Sequence, residues 1–318
     1  SRGPPSHRNQ RCYELGRRNA CKIKKEEFME RKLKTLMDGL TFGEGPRWYQ
    51  NKFYFSDFYS HKVYTLDLEG NYEVIVEVPN QPSGLGWTPD GAMLIVSMKD
   101  RKLLSYKDNV LEERADLSEL AGFHCNDMVV DAKGNAYIGN FGFNTYEGEE
   151  VKSTNLILVR PGEEPCVAAD DVMFPNGTVI TEDGKTLIVG ETYAAKLTAF
   201  DINDDASLSN RRVWADLTQS IDDGTVPVPD GMCLDAEGAI WVASPSTADV
   251  IRVKEGGEIL ERIPVETNAY ACMLGGDDLK TLFICTSNAS GVDPDSALRE
   301  KSGKIEIVEV DVPGAGRP

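Results

Sequence analysis

PDGMCLDAEGAIWVAS, residues 229–244, is the stretch from which the fold can be read. A short apolar run (Met232–Leu234) enters DAEG, and a second apolar run, AIWVAS, leaves it. Asp hydrogen-bonds its own backbone in a turn and Gly accepts positive φ, so the stretch reads as a β-hairpin. Working outward, the same template returns as SGLGWTPDGAMLIVS (83–97), NDMVVDAKGNAYIGN (126–140) and NGTVITEDGKTLIVGE (176–191). Looser copies stand at EGPRWYQNKFYFSD (44–57) and YACMLGGDDLKTLFICT (270–286). That makes six units, at the roughly forty- to fifty-residue spacing of blade repeats.

No long amphipathic helix separates the strands, as a parallel α/β sheet would require. The reading is therefore all-β: a six-bladed β-propeller with one blade per unit. The last unit supplies only three strands, ending in KIEIVEVDV (304–312), while KLKTLMDG (32–39) is left over before the first. Pairing that N-terminal segment as the missing outer strand of the last blade closes the ring and removes an exposed edge. Two regions result: a basic leader, residues 1–31, disordered or a short helix, and a single propeller domain, residues 32–318. A short helix is expected over residues 26–36.

Composition narrows the function. The 318 residues carry a net charge of -18, yet residues 1–25 hold eight basic side chains and one acid. An acidic body repels phosphate backbones, which argues against nucleic acid as a partner. No apolar run reaches the length of a membrane span. The seven cysteines show neither a C-x-x-C nor a zinc-finger spacing, so reduced thiols in a cytoplasmic protein are expected.

In a propeller the first strand of each blade is innermost, so residues at its start converge on one mouth of the central channel. The equivalent positions are Glu44, Ser83, Asn126, Asn176, Asp230 and Tyr270. Asn, Asp and Glu before a strand also cap turns. Four of them at one repeat phase exceed what turns need, and they are the oxygen donors that hard cations prefer. Two carboxylates meeting in a channel repel and hold their protons unless a cation lies between them. A divalent ion would balance their charge, with water and substrate completing its shell.

The chain resembles the senescence marker protein / gluconolactonase / luciferin-regenerating enzyme family. The resemblance rests on EGPRW (44–48), ND (126–127), PNG (175–177), GETYAAKLTAFDI (190–202), SNRRVWAD (209–216) and PDGMCLDAEGAIWVA (229–243), and it spans roughly Leu40 to Val312. It implies one divalent metal held by Glu44, Asn176 and Asp230, with Asn126 ligating it or contacting substrate. It also implies the opening of sugar lactones, with calcium or zinc commonly bound. Related propellers hydrolyse organophosphates or other esters. Many members carry Arg where this chain has His124, which puts the preference for sugar lactones in doubt and makes His124 either a substrate contact or a hydrogen-bonded loop residue.

Lactone opening needs a polarised carbonyl, a deprotonated water and a stabilised oxyanion. Asp230 is the candidate base or nucleophile, and Glu44 the anchor of the ion. No G-x-S-x-G elbow, three-histidine site or H-E-x-x-H motif is present. The expected cofactor is one divalent ion, calcium first, with zinc, magnesium or manganese also accepted by such a donor set. The expected partner is a small lactone or ester, with no nucleic acid and no membrane, acting on a monomer or weak homo-oligomer. Two alternatives stand beside the lactonase: a carboxylesterase or phosphotriesterase using the same ion, and a propeller that binds a ligand without chemistry. Tyr193 and Phe143 are candidate pocket residues, the loop at 140–153 a candidate lid, and Asp127 a supporting or turn group. The tryptophans read as blade packing and His61 as a surface residue.

Overall fold

The computed structural model describes residues 31–218 and 225–318. Within them, 24 strands, β1 to β24 in chain order, form six antiparallel four-stranded sheets. The expected six-bladed propeller is what the chain forms. The innermost strands are β2 (Gly43–Tyr49), β6 (Pro82–Trp87), β10 (Cys125–Val130), β14 (Pro175–Ile180), β18 (Met232–Leu234) and β22 (Asn268–Gly275).

The turns that punctuate the sequence recur as matched geometry. Asp131 Oδ1 accepts from the backbone N of Lys133 (2.8 Å) and Asn135 (2.9 Å); Asp235 Oδ1 does the same for Glu237 (2.9 Å) and Ala239 (3.0 Å). Gly134 and Gly238 follow with φ of +87° and +77°, a region that costs other residues steric strain. Apolar side chains fill the gaps between adjacent blades: Leu94, Val96, Met128 and Ile138 pack together, as do Val179, Ile188, Met232 and Ile240. Trp241 is buried between sheets, Trp48 stacks on Phe283, and Trp87 lies flat on Tyr49 with ring centroids 4.2 Å apart.

The ring closes as expected. Strand β1 (Lys34–Leu40) pairs antiparallel with β24 (Gly303–Glu309), completing the blade that contains β22 and β23 (Thr281–Ser287). The helix expected over 26–36 is corrected where it can be seen, because residues 34–36 are strand. Their edge pairing with β24 outweighs the local helical preference of a Lys- and Leu-rich segment. Residues 26–30, like the rest of the leader up to residue 30, lie outside the described residues. Arg31 is described: its guanidinium bonds Glu261, the carbonyl of Glu309 (2.7 Å) and Asp311 (2.8 Å).

At the end of the channel where the innermost strands finish, residues 313–317 cross from blade to blade. Pro313 O accepts from Ala236 N (2.8 Å), Ala315 N donates to Leu234 O (3.0 Å), and Arg317 exchanges two 2.9 Å bonds with Ile180. One end of the channel is thereby covered by the chain itself. Cys125, Cys166, Cys233, Cys272 and Cys285 are all free thiols. No helix among the described residues is long and apolar enough to cross a membrane.

Candidate functional site

Glu44, Asn126 and Asn176 are each the second residue of an innermost strand, and Asp230 stands two residues ahead of β18. All four are buried, and all four line one cavity of about 600 Å³ at the channel mouth. Crowding at the axis explains the glycine that follows three of them: a Cβ on Gly45 would lie 2.7 Å from Ser83 O. A Cβ on Gly177 would lie 2.4 Å from Asp230 O, and one on Gly231 would lie 2.4 Å from the Cβ of Ala271. Neighbouring inner strands therefore demand glycine there, which fixes the preceding side chain at the mouth.

The electrostatics are those of an acid pair in a confined space. Burial, then the charges of Asp230 and Asp127, push the Glu44 carboxyl well above the usual carboxylate range. Burial, then Asp127, raises Asp230 as well. One oxygen of Asp230, Oδ1, is buried with no hydrogen-bond partner. An ionised carboxylate left in that state is costly. Asn126 Nδ2 donates to Pro175 O (3.4 Å), and the Asn176 side chain hydrogen-bonds Asp230 while its Nδ2 donates to Thr192 Oγ1 (3.3 Å). Counted with the two carboxylates, the amide carbonyls make four side chains with oxygen donors on the cavity lining. Thr192 Oγ1 in turn donates to Pro229 O at 2.7 Å, tying the Asn176 amide to the segment that carries Asp230.

This donor set fits a divalent cation. It offers two carboxylates, one with an orphaned oxygen, and two neutral amides, which is the chemistry of a calcium or magnesium site rather than a thiolate one. Among the described residues no three of His, Cys, Asp or Glu gather as a metal-ligand group, so an ion here depends on the amides.

Beneath the site, Arg47 is buried and donates to Leu85 O (2.9 Å), Pro46 O (2.7 Å), Met128 O (2.6 Å) and Asp127 Oδ1 (2.6 Å). It joins three blades directly behind Glu44. Nothing in the repeat phase singled it out.

The cavity walls are largely aromatic and aliphatic. Phe42, Phe58, Phe141, Phe174, Tyr193 and Tyr270 line it, joined by Val226, Val228 and Val292. Phe42 meets Tyr270 edge-on at 4.5 Å, and Phe141 stacks on Phe174 at 4.6 Å. Of the two candidate pocket residues, Tyr193 lines the cavity and Phe143 packs behind it, 5.6 Å from its ring. His124 is set back. It does not line the cavity; its ring lies on Phe123 (4.1 Å) with Tyr146 5.4 Å away, and Nδ1 is buried without a partner. Burial first, then Lys99 and Arg101, lowers its pKa to about 4, so the ring is neutral near pH 7. Asp127 pairs with Arg47, and His61 sits at a turn with Nδ1 2.7 Å from Pro79 O.

Comparison with known proteins adds four likenesses. The SMP-30/Gluconolactonase/LRE-like region matches residues 42–288. A 6-deoxy-6-sulfogluconolactonase from Pseudomonas putida is 24% identical over 281 residues, covering 87% of this chain and 94% of that protein. Regucalcin from Xenopus laevis is 28% identical over 272 residues, covering 83% and 89%. Among solved structures, a calcium-binding regucalcin from Agrobacterium tumefaciens superposes with a TM-score of 0.74 at 24% identity, over 92% of this chain and 97% of that one.

Proposed function

The chain belongs to the SMP-30/gluconolactonase/LRE-like family, and from that premise we propose that it is a metal-dependent hydrolase that opens a small lactone. Lactone hydrolysis is the activity named for the Pseudomonas relative. The observation that carries the reading is the convergence of Glu44, Asn126, Asn176 and Asp230 on one cavity, with an Asp230 oxygen left unpartnered.

Those four residues would hold the ion, calcium before magnesium, manganese or zinc. When bound, a divalent cation there polarises a carbonyl and offsets the charge that develops on its oxygen. Asp230 orients water and takes its proton through the oxygen that no protein group occupies. Glu44 anchors, and Thr192 holds the Asn176 amide in place. The aromatic walls keep bulk water from the reacting atoms. His124 makes no direct substrate contact in this reading. The protein acts in the cytoplasm on a small molecule, as a monomer or weak homo-oligomer; five free thiols and the acidic composition support this.

Proton release from a lactone panel, before and after chelation, tests the reading, with aryl esters and phosphotriesters run alongside. Stripping the metal with EDTA is expected to lower kcat at least about 100-fold, within the several kcal/mol a Lewis acid contributes, and added calcium to restore it. Calcium at about one hundred times its Kd is also expected to stabilise the fold by roughly 2.7 kcal/mol, read as a rise in Tm. Undiminished turnover in metal-stripped protein removes the ion from the reaction. Esters or phosphotriesters outpacing every lactone would transfer the same site to the esterase alternative.

A further inference from the structure

We infer that the ring this enzyme opens carries an apolar aryl or alkyl substituent, and that polyhydroxylated sugar lactones are poor substrates. The inference rests on the lactonase reading and specifies its substrate class. Its basis is the cavity wall beyond the four oxygen donors.

Phe58, Phe141, Phe174, Val226, Val228 and Val292 present carbon to whatever sits over Asp230. No Lys, Arg or His lines the cavity among the described residues. His124 is turned away into the Phe123–Tyr146 packing. Among the described residues, the remaining polar side chains of the wall bond within the protein, Ser290 as an acceptor only. Thr192 Oγ1 bridges Asn176 and Pro229 O, Thr218 Oγ1 donates to Asp216 Oδ1 (2.6 Å), and Ser290 Oγ accepts from Val292 N (3.3 Å). The Tyr270 hydroxyl is hydrogen-bonded by Asn268. Tyr193, about half exposed, and the hydroxyl proton of Ser290 are what remain among the described residues.

A sugar lactone brings several hydroxyls, each of which gives up water on entering. With one phenol and the Ser290 O–H to receive them among the described residues, most of those hydroxyls would be buried unpaired. An aryl or alkyl substituent has nothing to lose there and gains contact with the rings. Sites that cannot hydrogen-bond a substrate's polar groups discriminate by apolar contact, with factors of roughly 10 to 200 per missing or added group.

The test compares kcat/KM of the calcium-loaded full chain for γ-phenyl-γ-butyrolactone and δ-decalactone against D-glucono-1,5-lactone, by pH-stat. The apolar lactones are expected to be favoured at least about 100-fold. Equal or better turnover of gluconolactone overturns the inference and leaves the lactonase reading intact. If no lactone is opened, the lactonase reading fails, and calorimetric titration decides the inference separately: γ-phenyl-γ-butyrolactone binding without gluconolactone binding upholds an apolar site, and the reverse overturns it. Val292→Arg provides a check at a wall residue already 37% exposed, where the fold tolerates charge. It is expected to lower kcat/KM for the apolar lactones about tenfold at unchanged Tm. An unchanged kcat/KM would overturn the placement of the substituent against that wall.

Discussion

An Asp230→Asn enzyme should lose about 10³- to 10⁴-fold in kcat, the range associated with removing a positioned general base. The substitution keeps the volume and one oxygen of the side chain, so the cavity and its walls stay in place. What disappears is the carboxylate that accepts the proton of water and half of the charge that draws in a cation. The same change should not weaken the metal-free fold. Burial and Asp127 raise the Asp230 pKa in the folded state, so the folded chain binds that proton more tightly than the unfolded one. Below the ordinary carboxylate range both states are protonated and nothing is lost. As pH rises from that range up to the raised pKa, the unfolded chain gives up its proton first and the metal-free fold loses stability, a loss that is complete once the folded side chain ionises too. Asn carries no such penalty, so in EDTA at pH 8 the variant should melt at the wild-type temperature or above. Added calcium should reverse the order, stabilising the wild type and leaving the variant nearly unmoved. Wild-type turnover by the variant would end the case for Asp230 as base, and a collapse of its Tm in EDTA would show that the side chain is structural.

The parts of this molecule that could be read from its sequence are those the repeat makes redundant. Asp131 and Asp235 make the same turn with the same two backbone bonds, so one hairpin predicts the others. The mouth residues were legible for a related reason. Glu44, Asn126, Asn176 and Asp230 occupy one phase of the repeat, and the phase has a physical cause in the packing of Gly177 and Gly231 against the neighbouring inner strand. The walls follow such a rule only in part. Phe42 and Phe174 precede inner strands, Phe58 and Phe141 follow second strands, and Val226 and Val292 come from connections of unequal length. The four phenylalanines thus fall at two repeat positions, whereas connections vary from blade to blade, so no alignment of repeats adds Val226 and Val292 to them. At residues 34–36 two readings competed, a local helix over 26–36 and the outer strand that ring closure requires, and the strand wins because its conformation is imposed by β24, more than 260 residues away in the chain. Arg47 was missed because its partners are backbone carbonyls of other blades, which carry no sequence signature at all.

Arg47 should also prove to be the side chain whose loss does most damage to stability. Arg47→Met is expected to cost about 3–5 kcal/mol, the usual penalty for breaking a buried ion pair by removing one member. The reason is the company it keeps. Its guanidinium satisfies three carbonyls and the Asp127 carboxylate in a setting closed to water. Methionine fills much of the same space and satisfies none of them. The uncompensated Asp127 would then sit near Glu44 and Asp230, whose ionisation it already opposes. Activity should therefore fall with stability, although Arg47 reaches no substrate. Urea unfolding of the single variants and of Arg47→Met/Asp127→Leu would separate the contributions. Removing both charges should recover a substantial share of the loss, because an apolar pair is often tolerated where a lone buried charge is not. The recovery should be incomplete, since Met128 N donates to Asp127 at 2.8 Å and would lose its acceptor. A single-variant cost below about 1 kcal/mol, the scale of an exposed ion pair, would mean that water reaches this layer, and the confined acid pair above it would lose its main structural premise.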